Sequence, residues 1–257
     1  MRALALLARL WGPGKDWRLI LLAALVLGSL IVALLVPPFG QDLNYHNFAD
    51  QRAFLGVPNF YDVVSNLPFL LVGAAGLVLC LGPRLQGGRP PWITFFVGVS
   101  LVSFGSAYYH WNPTSQTLVW DRLPMTVAFM GLAAALLGEY VQPRLGAVLL
   151  VPLVLLGFSS VAYWHWTDDL RFYIWIQLMA LLLIPALMAL FRPANTRQGY
   201  LLVAFFCYGL AKIAEVGDQT IFTWTQHQLS GHSLKHLLAG LGIYAVLAML
   251  RTRESRA

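Results

Sequence analysis

The chain alternates between long apolar stretches and short polar connections. Eight stretches are each about 18 to 24 residues long, which is the length that a helix needs to cross a hydrocarbon core of ~30 Å. They cover residues 18–37, 60–82, 91–111, 119–141, 146–164, 170–191, 199–217 and 231–250. The pattern predicts an all-α fold, a polytopic membrane helical bundle.

Composition supports this class of fold. Of the 257 residues, 58% are hydrophobic and 11% are charged, which is too apolar for a soluble domain of this length. The net charge of +6 does not indicate a nucleic-acid partner, because the basic residues are scattered singly between apolar stretches. Cys80 and Cys207 lie inside apolar runs, where they act as small hydrophobes.

The first stretch resembles a signal peptide only in its basic leader. Its apolar run is longer than a signal-peptide core, and residues 36–39 lack a cleavage motif of small residues. We therefore expect a retained helix. The domain organisation that follows is a cytoplasmic N-terminus with an extra transmembrane helix (1–40), an outer loop (41–58), a core of seven predicted helices (59–250) and a cytoplasmic tail (251–257).

The Lys and Arg residues between the stretches predict the orientation, because cytoplasmic loops carry an excess of them. With the N-terminus inside, only Arg52, Arg122 and Arg171 face out, while Lys212 and Lys235 lie within helices. The larger cytoplasmic set is Arg2, Arg9, Lys15, Arg18, Arg84, Arg89, Arg144, Arg192, Arg197, Arg251, Arg253 and Arg256. Both termini should therefore be cytoplasmic, and the compact, arginine-rich chain favours a bacterial inner membrane.

Four ionisable residues lie where stretches meet the outer face, periplasmic or lumenal. His110 ends the third stretch, Asp121 opens the fourth, and His232 and His236 lie in the first turns of the eighth. A spacing of four on a helix presents both C-terminal imidazoles to a single point, and Ser106 has the same spacing from His110. A third imidazole from another helix completes the ligand set of a catalytic zinc site.

Each of these residues also has a structural interpretation. The histidine pair could bond to neighbours at the membrane interface. Asp121 could cap a helix or lie in its first turn, with Arg122 beside it among the lipid headgroups. Ser106 could be a small residue at a helix contact. The convergence of all these groups at one face favours the metal site.

Three ordered motifs carry a family resemblance. Gly105-Ser106-Ala107-Tyr108-Tyr109-His110, followed by Asp121-Arg122-Leu123-Pro124-Met125, resembles the GSxxFH and LDELPM patterns of alkaline ceramidases. Residues 231–236 resemble their GHxxxH motif, and Val64-Ser65-Asn66-Leu67 resembles their VSNL. The resemblance implies the superfamily of seven-helix transmembrane zinc hydrolases that also includes the progestin and adipoQ receptors, with the first helix here as an addition.

The resemblance also implies the roles of individual residues. His110, His232 and His236 would bind Zn²⁺, Asp121 would be the acid and base for the attacking water, and Ser106 would lie near the reacting carbonyl. The activity implied is hydrolysis of a ceramide-like lipid amide, drawn from the membrane lipids, to a fatty acid and a sphingoid or other amino-lipid base. Arg122 departs from the pattern, because the family has an acid there.

Calcium is a second cofactor that the family resemblance raises. Here the corresponding loop offers Asp42, Asp50 and Asn59, with Arg52 among them. Calcium takes six to eight oxygen ligands and gains affinity from their charge, so two aspartates and one asparagine beside an arginine are a poor ligand set for it. We expect no calcium site, and instead expect residues 45–52 to fold over the outer mouth with Asp50 paired to Arg52.

Other polar residues are expected to support the site or the fold. Lys212 and Glu215 should form an ion pair inside the bundle, and Asp218 could accept a hydrogen bond from the free ring nitrogen of a zinc histidine. Ser65 and Asn66 of the VSNL motif belong to the same supporting group. His46, His165 and His227 are expected at the interface rather than as ligands.

Two alternatives to an enzyme remain. One is a zinc-stapled lipid receptor or binding module of the adipoQ-receptor type, because a structural site can use the same histidines. The other is a proton-coupled transporter with Lys212, Glu215, Asp218 and the histidines as a relay, although the chain shows neither an inverted repeat nor paired broken helices. The sequence carries no signal for an oligomeric state.

Overall fold

The chain folds into a bundle of long helices. The computed structural model describes residues 16–83, 85, 88–191 and 197–252, and within these ranges it contains no strand beyond an isolated bridge between Phe54 and Val57. Among the described residues, eight spans are long and apolar enough to cross a membrane. The protein is therefore a multi-pass helical membrane protein, as predicted.

The helices follow the apolar stretches closely. They are α1 (Trp17–Leu35), α2 (Phe60–Val64), α3 (Leu67–Leu81), α4 (Arg89–Trp111), α5 (Ser115–Tyr140), α6 (Pro143–Thr167), α7 (Arg171–Leu190), α8 (Gln198–Val216), α9 (Asp218–Trp224) and α10 (Gly231–Arg251). A short 3₁₀ helix covers Leu43–His46.

Two segments differ from the sequence expectation. The second span is interrupted between α2 and α3, where Pro68 lies in the first turn of α3 and has no N–H to donate to the end of α2. The Asn66 side chain bridges this break by donating to the Asp62 carbonyl oxygen over 2.8 Å. The loop predicted over 218–230 contains α9, which places Asp218 at the start of a helix.

Long helices adjacent in the chain pack side by side from α3 to α7, and α10 closes the bundle by packing against both α8 and α3. Packing between α7 and α8 is sparser than between the other neighbouring long helices. The side of the bundle between α7 and α8 is therefore the most loosely packed of those between neighbouring long helices.

The first helix lies outside this bundle, against α7. Trp175 on α7 donates to the Ser29 hydroxyl over 3.0 Å, and Arg171 donates to the Val36 carbonyl oxygen over 2.8 Å. The chain then crosses one end of the bundle before α2 begins. In this way α1 anchors the segment 36–52.

Seven of the basic residues used to predict the orientation lie outside the described residues, namely Arg2, Arg9, Lys15, Arg84, Arg192, Arg253 and Arg256. The predicted orientation therefore stays a prediction.

Glycines allow α4 and α5 to approach closely. A Cβ atom on Gly98 would lie 2.8 Å from the Ala128 Cα, and one on Gly131 would lie 2.6 Å from the Phe95 backbone nitrogen. Small residues at such crossings let helix backbones pack tightly in membranes, where association depends on van der Waals contact. This crossing fixes the relative positions of His110 and Asp121.

Replacing Gly98 by Leu should therefore disrupt the α4–α5 contact. We expect a destabilisation of about 1–3 kcal/mol or more, since the side chain would meet backbone that cannot move aside. Gly209→Leu is the matched control, because nothing lies within 4 Å of a Cβ at Gly209. Thermal unfolding in detergent measures both variants, and equal melting temperatures would contradict the proposed crossing.

Candidate metal centre

Three imidazoles meet at one end of the bundle, where α4 ends and α10 begins. We call this the histidine end. His110, His232 and His236 are 0%, 3% and 3% exposed, and each offers a ligand nitrogen within 4.8 Å of the others. Within the described residues, no other group of three or more His, Cys, Asp or Glu residues converges in this way. The convergence predicted from the motif spacing is confirmed.

The His110 ring indicates what this cluster is suited to hold. Both of its ring nitrogens are buried and have no hydrogen-bond partner among the described residues. A buried imidazole without a partner is costly, because it gives up hydrogen bonds to water. Three neutral imidazoles are a ligand set that suits Zn²⁺ and leaves a coordination position open. The residues present therefore fit a zinc ion.

Ser65 orients the His236 ring. Its hydroxyl donates to the Asp62 carbonyl oxygen over 3.0 Å, so it is left to accept from His236 Nδ1, which lies 2.7 Å away. This assignment puts the ring proton on Nδ1 and leaves the Nε2 lone pair free for a metal. The expected supporting role of Ser65 stays a prediction, which these two contacts make specific.

Asp62 was not identified from the sequence. It is fully buried, and its carboxylate accepts hydrogen bonds from the hydroxyls of Ser230 (3.1 Å) and Ser233 (2.7 Å). These bonds fix the first turn of α10, which carries His232. The available signal was an acid near the start of an apolar span, the kind of residue that is rare inside membranes.

Asp121 and Ser106 lie together beside the histidines. Asp121 is the seventh residue of α5, and the helix is capped by Thr114, so its interpretation as a cap or first-turn acid is wrong. The Ser106 side chain lies near the Asp121 carboxylate. Both residues line the same cavity as His236.

That cavity has a volume of about 450 Å³ and runs from the histidine end into the bundle. Its polar end includes Tyr45 and Asp121, and its deep end includes Leu132 and Val246. Val246 follows His236 by ten residues on α10, which corresponds to a depth of ~15 Å. The deep part is apolar, so its chemistry matches a hydrocarbon chain.

Glu215 is the centre of an ionic cluster in the same cavity. Its predicted ion pair with Lys212 is confirmed. Its other carboxylate oxygen also accepts from Lys235 (3.0 Å) and from the Tyr45 hydroxyl (2.9 Å). Lys235 in turn lies 2.9 Å from His232 Nε2, which connects the ionic cluster to the three histidines.

The prediction that Asp218 accepts from a histidine ring is wrong. Its two carboxylate oxygens accept from the backbone N–H groups of His232 (2.8 Å) and Ala49 (2.9 Å). Because Asp218 opens α9, its side chain reaches the backbone at the start of α10 rather than a ring nitrogen. Asp218 therefore holds the segment 36–52 onto the histidine end.

This segment covers the site as expected. The Phe48 ring packs on the rings of His110 and His232, with centroids 4.7 and 4.6 Å apart. His46 bonds to the Tyr109 hydroxyl (2.8 Å) and to Ser115 (3.1 Å). Burial, and to a lesser extent the nearby Arg122, lower the pKa of His46.

The candidate calcium ligands do not come together. Asp42 caps the 3₁₀ helix through the Asn44 N–H, and Asn59 donates to the His110 carbonyl oxygen over 2.8 Å. Asp50 forms the predicted ion pair with Arg52 at 2.6 Å. Each of these side chains is engaged with another part of the protein, and the expected absence of a calcium site stays a prediction.

Arg122 also differs from expectation. It does not lie among lipid headgroups but is buried, and it lines the cavity beside Asp121.

His165 lies in the last turns of α6 rather than in a loop, and neither it nor His227 belongs to the histidine cluster.

These observations define a multi-pass membrane protein with a buried histidine cluster, able to hold a metal ion, at the polar end of an apolar cavity. The family model described as Ceramidase matches residues 55–256, so the chain belongs to the ceramidase family. No curated protein matches the chain. Family membership makes it a hydrolase that acts on an amide, of the ceramide-hydrolysing class.

Removing any one of the three imidazoles should abolish tight zinc binding. We expect His110→Ala, His232→Ala and His236→Ala each to lower the zinc content of the purified protein from about one ion per chain to near zero. His165→Ala, outside the cluster, should keep its zinc. Elemental analysis by mass spectrometry measures the content, and full zinc content in any of the three variants would remove that residue from the ligand set.

Ser65→Ala should weaken zinc binding without removing a ligand. The His236 ring loses the acceptor that fixes its Nδ1 proton, and loss of such a partner typically lowers metal affinity 10- to 100-fold. Ser65→Thr keeps the hydroxyl and should retain the affinity. Competition with a chromophoric chelator gives the zinc affinity, and equal values for the alanine and threonine variants would argue against this role.

Proposed function

We propose that the protein is a zinc-dependent intramembrane amidase that hydrolyses the N-acyl bond of ceramide-like lipids. One observation carries the proposal: the histidine cluster, Asp121 and Ser106 lie together at the polar end of a deep apolar cavity. Family membership supports the class of reaction.

The three imidazoles would hold the zinc ion. When bound there, zinc supplies Lewis acidity, which polarises a carbonyl group and lowers the pKa of a coordinated water. The Asp121 carboxylate takes a proton from the attacking water and gives it to the departing nitrogen. The C–O bond forms first, with the electron pair of the C=O bond moving onto the carbonyl oxygen. The C=O bond then re-forms as the C–N bond breaks and the nitrogen takes the proton, and the products are a fatty acid and an amine.

Ser106 is the group placed to assist the carbonyl oxygen. Its hydroxyl lies beside Asp121 on the cavity wall, where it can donate to the negative charge that develops on that oxygen. Such a donor acts strongly in a site that excludes water. Phe48 and the rest of the segment 36–52 provide that exclusion on the aqueous side.

The acyl chain would occupy the apolar depth of the cavity. The sparse packing between α7 and α8 supports entry from the membrane, since both helices line this cavity. The charge bias of the sequence supports a site near the outer face of the membrane with both termini in the cytoplasm.

The first test is hydrolysis of a lipid panel. Purified protein is incubated with several N-acyl lipids, with and without a zinc chelator, and released fatty acid is measured by mass spectrometry. We expect release from at least one lipid that stops with the chelator and returns with added Zn²⁺. Absence of chelator-sensitive release from every lipid would favour the receptor alternative.

Asp121→Asn should abolish hydrolysis while zinc stays bound. The amide cannot accept the proton, and general acid–base catalysis typically contributes 10²- to 10⁴-fold, so we expect a loss of kcat in that range. Asp16→Asn, at the N-cap of α1, is the matched control. Unchanged hydrolysis by a zinc-loaded Asp121→Asn variant would rule out this role.

A further inference from the structure

Arg122 is a buried cation at the polar end of the cavity. It is 7% exposed and makes no salt bridge with any residue that the structure describes. The other two arginines that we predicted for this face each have a carboxylate partner: Arg52 pairs with Asp50 at 2.6 Å and Arg171 with Asp169 at 2.7 Å. Arg122 therefore differs from Arg52 and Arg171 in having no carboxylate partner among the described residues.

The Arg122 guanidinium is held rigidly but is only partly satisfied. It lies over the rings of Trp164 and Tyr173, 4.0 and 4.7 Å from their centroids. Its Nη2 donates to the Gln41 side-chain oxygen over 2.6 Å. Its Nη1 is buried and has no partner among the described residues. One edge of the guanidinium is thus fixed, and the other retains an unused donor.

Neither the two aromatic rings nor Asp121 offsets the free-energy cost of burying the Arg122 charge. The ring faces attract the charge but offer no acceptor in the plane of the guanidinium. Asp121 attracts Arg122 electrostatically without contacting it, and Asp121 is the residue to which we assign proton transfer. A charge buried without a counter-ion is expensive, and inside membranes such groups usually mark a binding function.

The position of Arg122 indicates which part of a substrate it faces. If the acyl chain fills the depth of the cavity between Leu132 and Val246, the amine-bearing part of the lipid must lie at the polar end. Gln41, Tyr45 and Arg122 line that end. The planar fork of a guanidinium suits carboxylate, sulfonate and phosphate oxygens.

We propose that Arg122 determines specificity by binding an anionic group on the amine-bearing part of an N-acyl lipid substrate. This inference rests on the proposed amidase function and names its substrate class: N-acyl lipids with an acidic headgroup. A second source of the same chemistry is the carboxylate of the released fatty acid, and the experiment below separates the two.

The test uses two lipids that differ in one group. N-palmitoyl serine carries a carboxylate where N-palmitoyl serinol carries a neutral CH₂OH. We expect the full-length, zinc-loaded protein to have a kcat/KM about tenfold or more higher for the serine lipid, because a charge-assisted hydrogen bond is lost with the other. Arg122→Gln should lower kcat/KM for the serine lipid roughly 10- to 100-fold and change the serinol lipid less than about threefold.

Two further variants control for charge and for folding. Arg122→Lys keeps the charge without the planar fork and should retain part of the preference for the serine lipid. Arg18→Gln removes one positive charge at the start of α1 and should leave both substrates unchanged. Size-exclusion chromatography and zinc content show whether each variant is folded. If Arg122→Gln is not folded, Arg122→Lys tests the inference in its place.

Three outcomes would overturn the inference. Equal kcat/KM for the two lipids in the unmodified protein would show that the cavity does not recognise the acid. An equal loss of kcat/KM on both lipids in Arg122→Gln would indicate that Arg122 only holds Gln41 and the segment 36–52 in place. Weaker inhibition by palmitate in Arg122→Gln, with both substrates affected alike, would assign Arg122 to the product carboxylate instead.

A binding measurement separates this inference from the amidase proposal. If neither lipid is hydrolysed, the proposed function fails, but the shift in melting temperature on adding each lipid still reports recognition. A larger shift with N-palmitoyl serine than with N-palmitoyl serinol, lost in Arg122→Gln, would support acid recognition. Equal shifts would overturn it.

Discussion

A hydrocarbon interior offers no water to a polar side chain, so each ionisable group in this bundle must find a partner in the protein or in a ligand. Most groups at the histidine end obey this constraint within the protein. Glu215 is shared between Lys212 and Lys235, and one carboxylate oxygen of Asp62 accepts from two serines. Among the buried polar atoms left without a partner in the described residues, those of two side chains are the most informative. His110 lacks a partner at both ring nitrogens and Arg122 at Nη1 among the described residues.

The apolar part of the structure positions these groups. The glycines of the α4–α5 crossing bring two backbones close enough to fix Ser106 and His110 on one side and Asp121 on the other. At the break between α2 and α3, Ser65 contacts His236 over 2.7 Å. Backbone irregularity of this kind is tolerated in a membrane where it is buried in protein.

The sequence was a good guide to features that repeat along one helix. The lengths of the apolar runs predicted the spans, and the spacing of His232 and His236 predicted their shared face. The sequence was a poor guide to contacts between side chains that lie far apart along the chain. The position of Arg122 beside a polar loop suggested lipid headgroups, whereas Trp164 and Tyr173 from two later helices enclose it. Asp218 was misassigned because the turn into α9 redirects its side chain. Asp62 escaped notice because its serine partners lie in a distant part of the chain.

The segment 36–52 precedes the part of the chain that matches the ceramidase family, which begins at residue 55. Yet Gln41 contacts Arg122, Tyr45 contacts Glu215, and Phe48 covers two of the histidines. The region that shapes access to the centre and the region that holds its ligands are therefore separate in the gene, although they touch in the folded protein. Selection can alter the first by insertion, deletion or exchange without disturbing the second, so family members with the same histidines could diverge in the lipids they accept through this one segment.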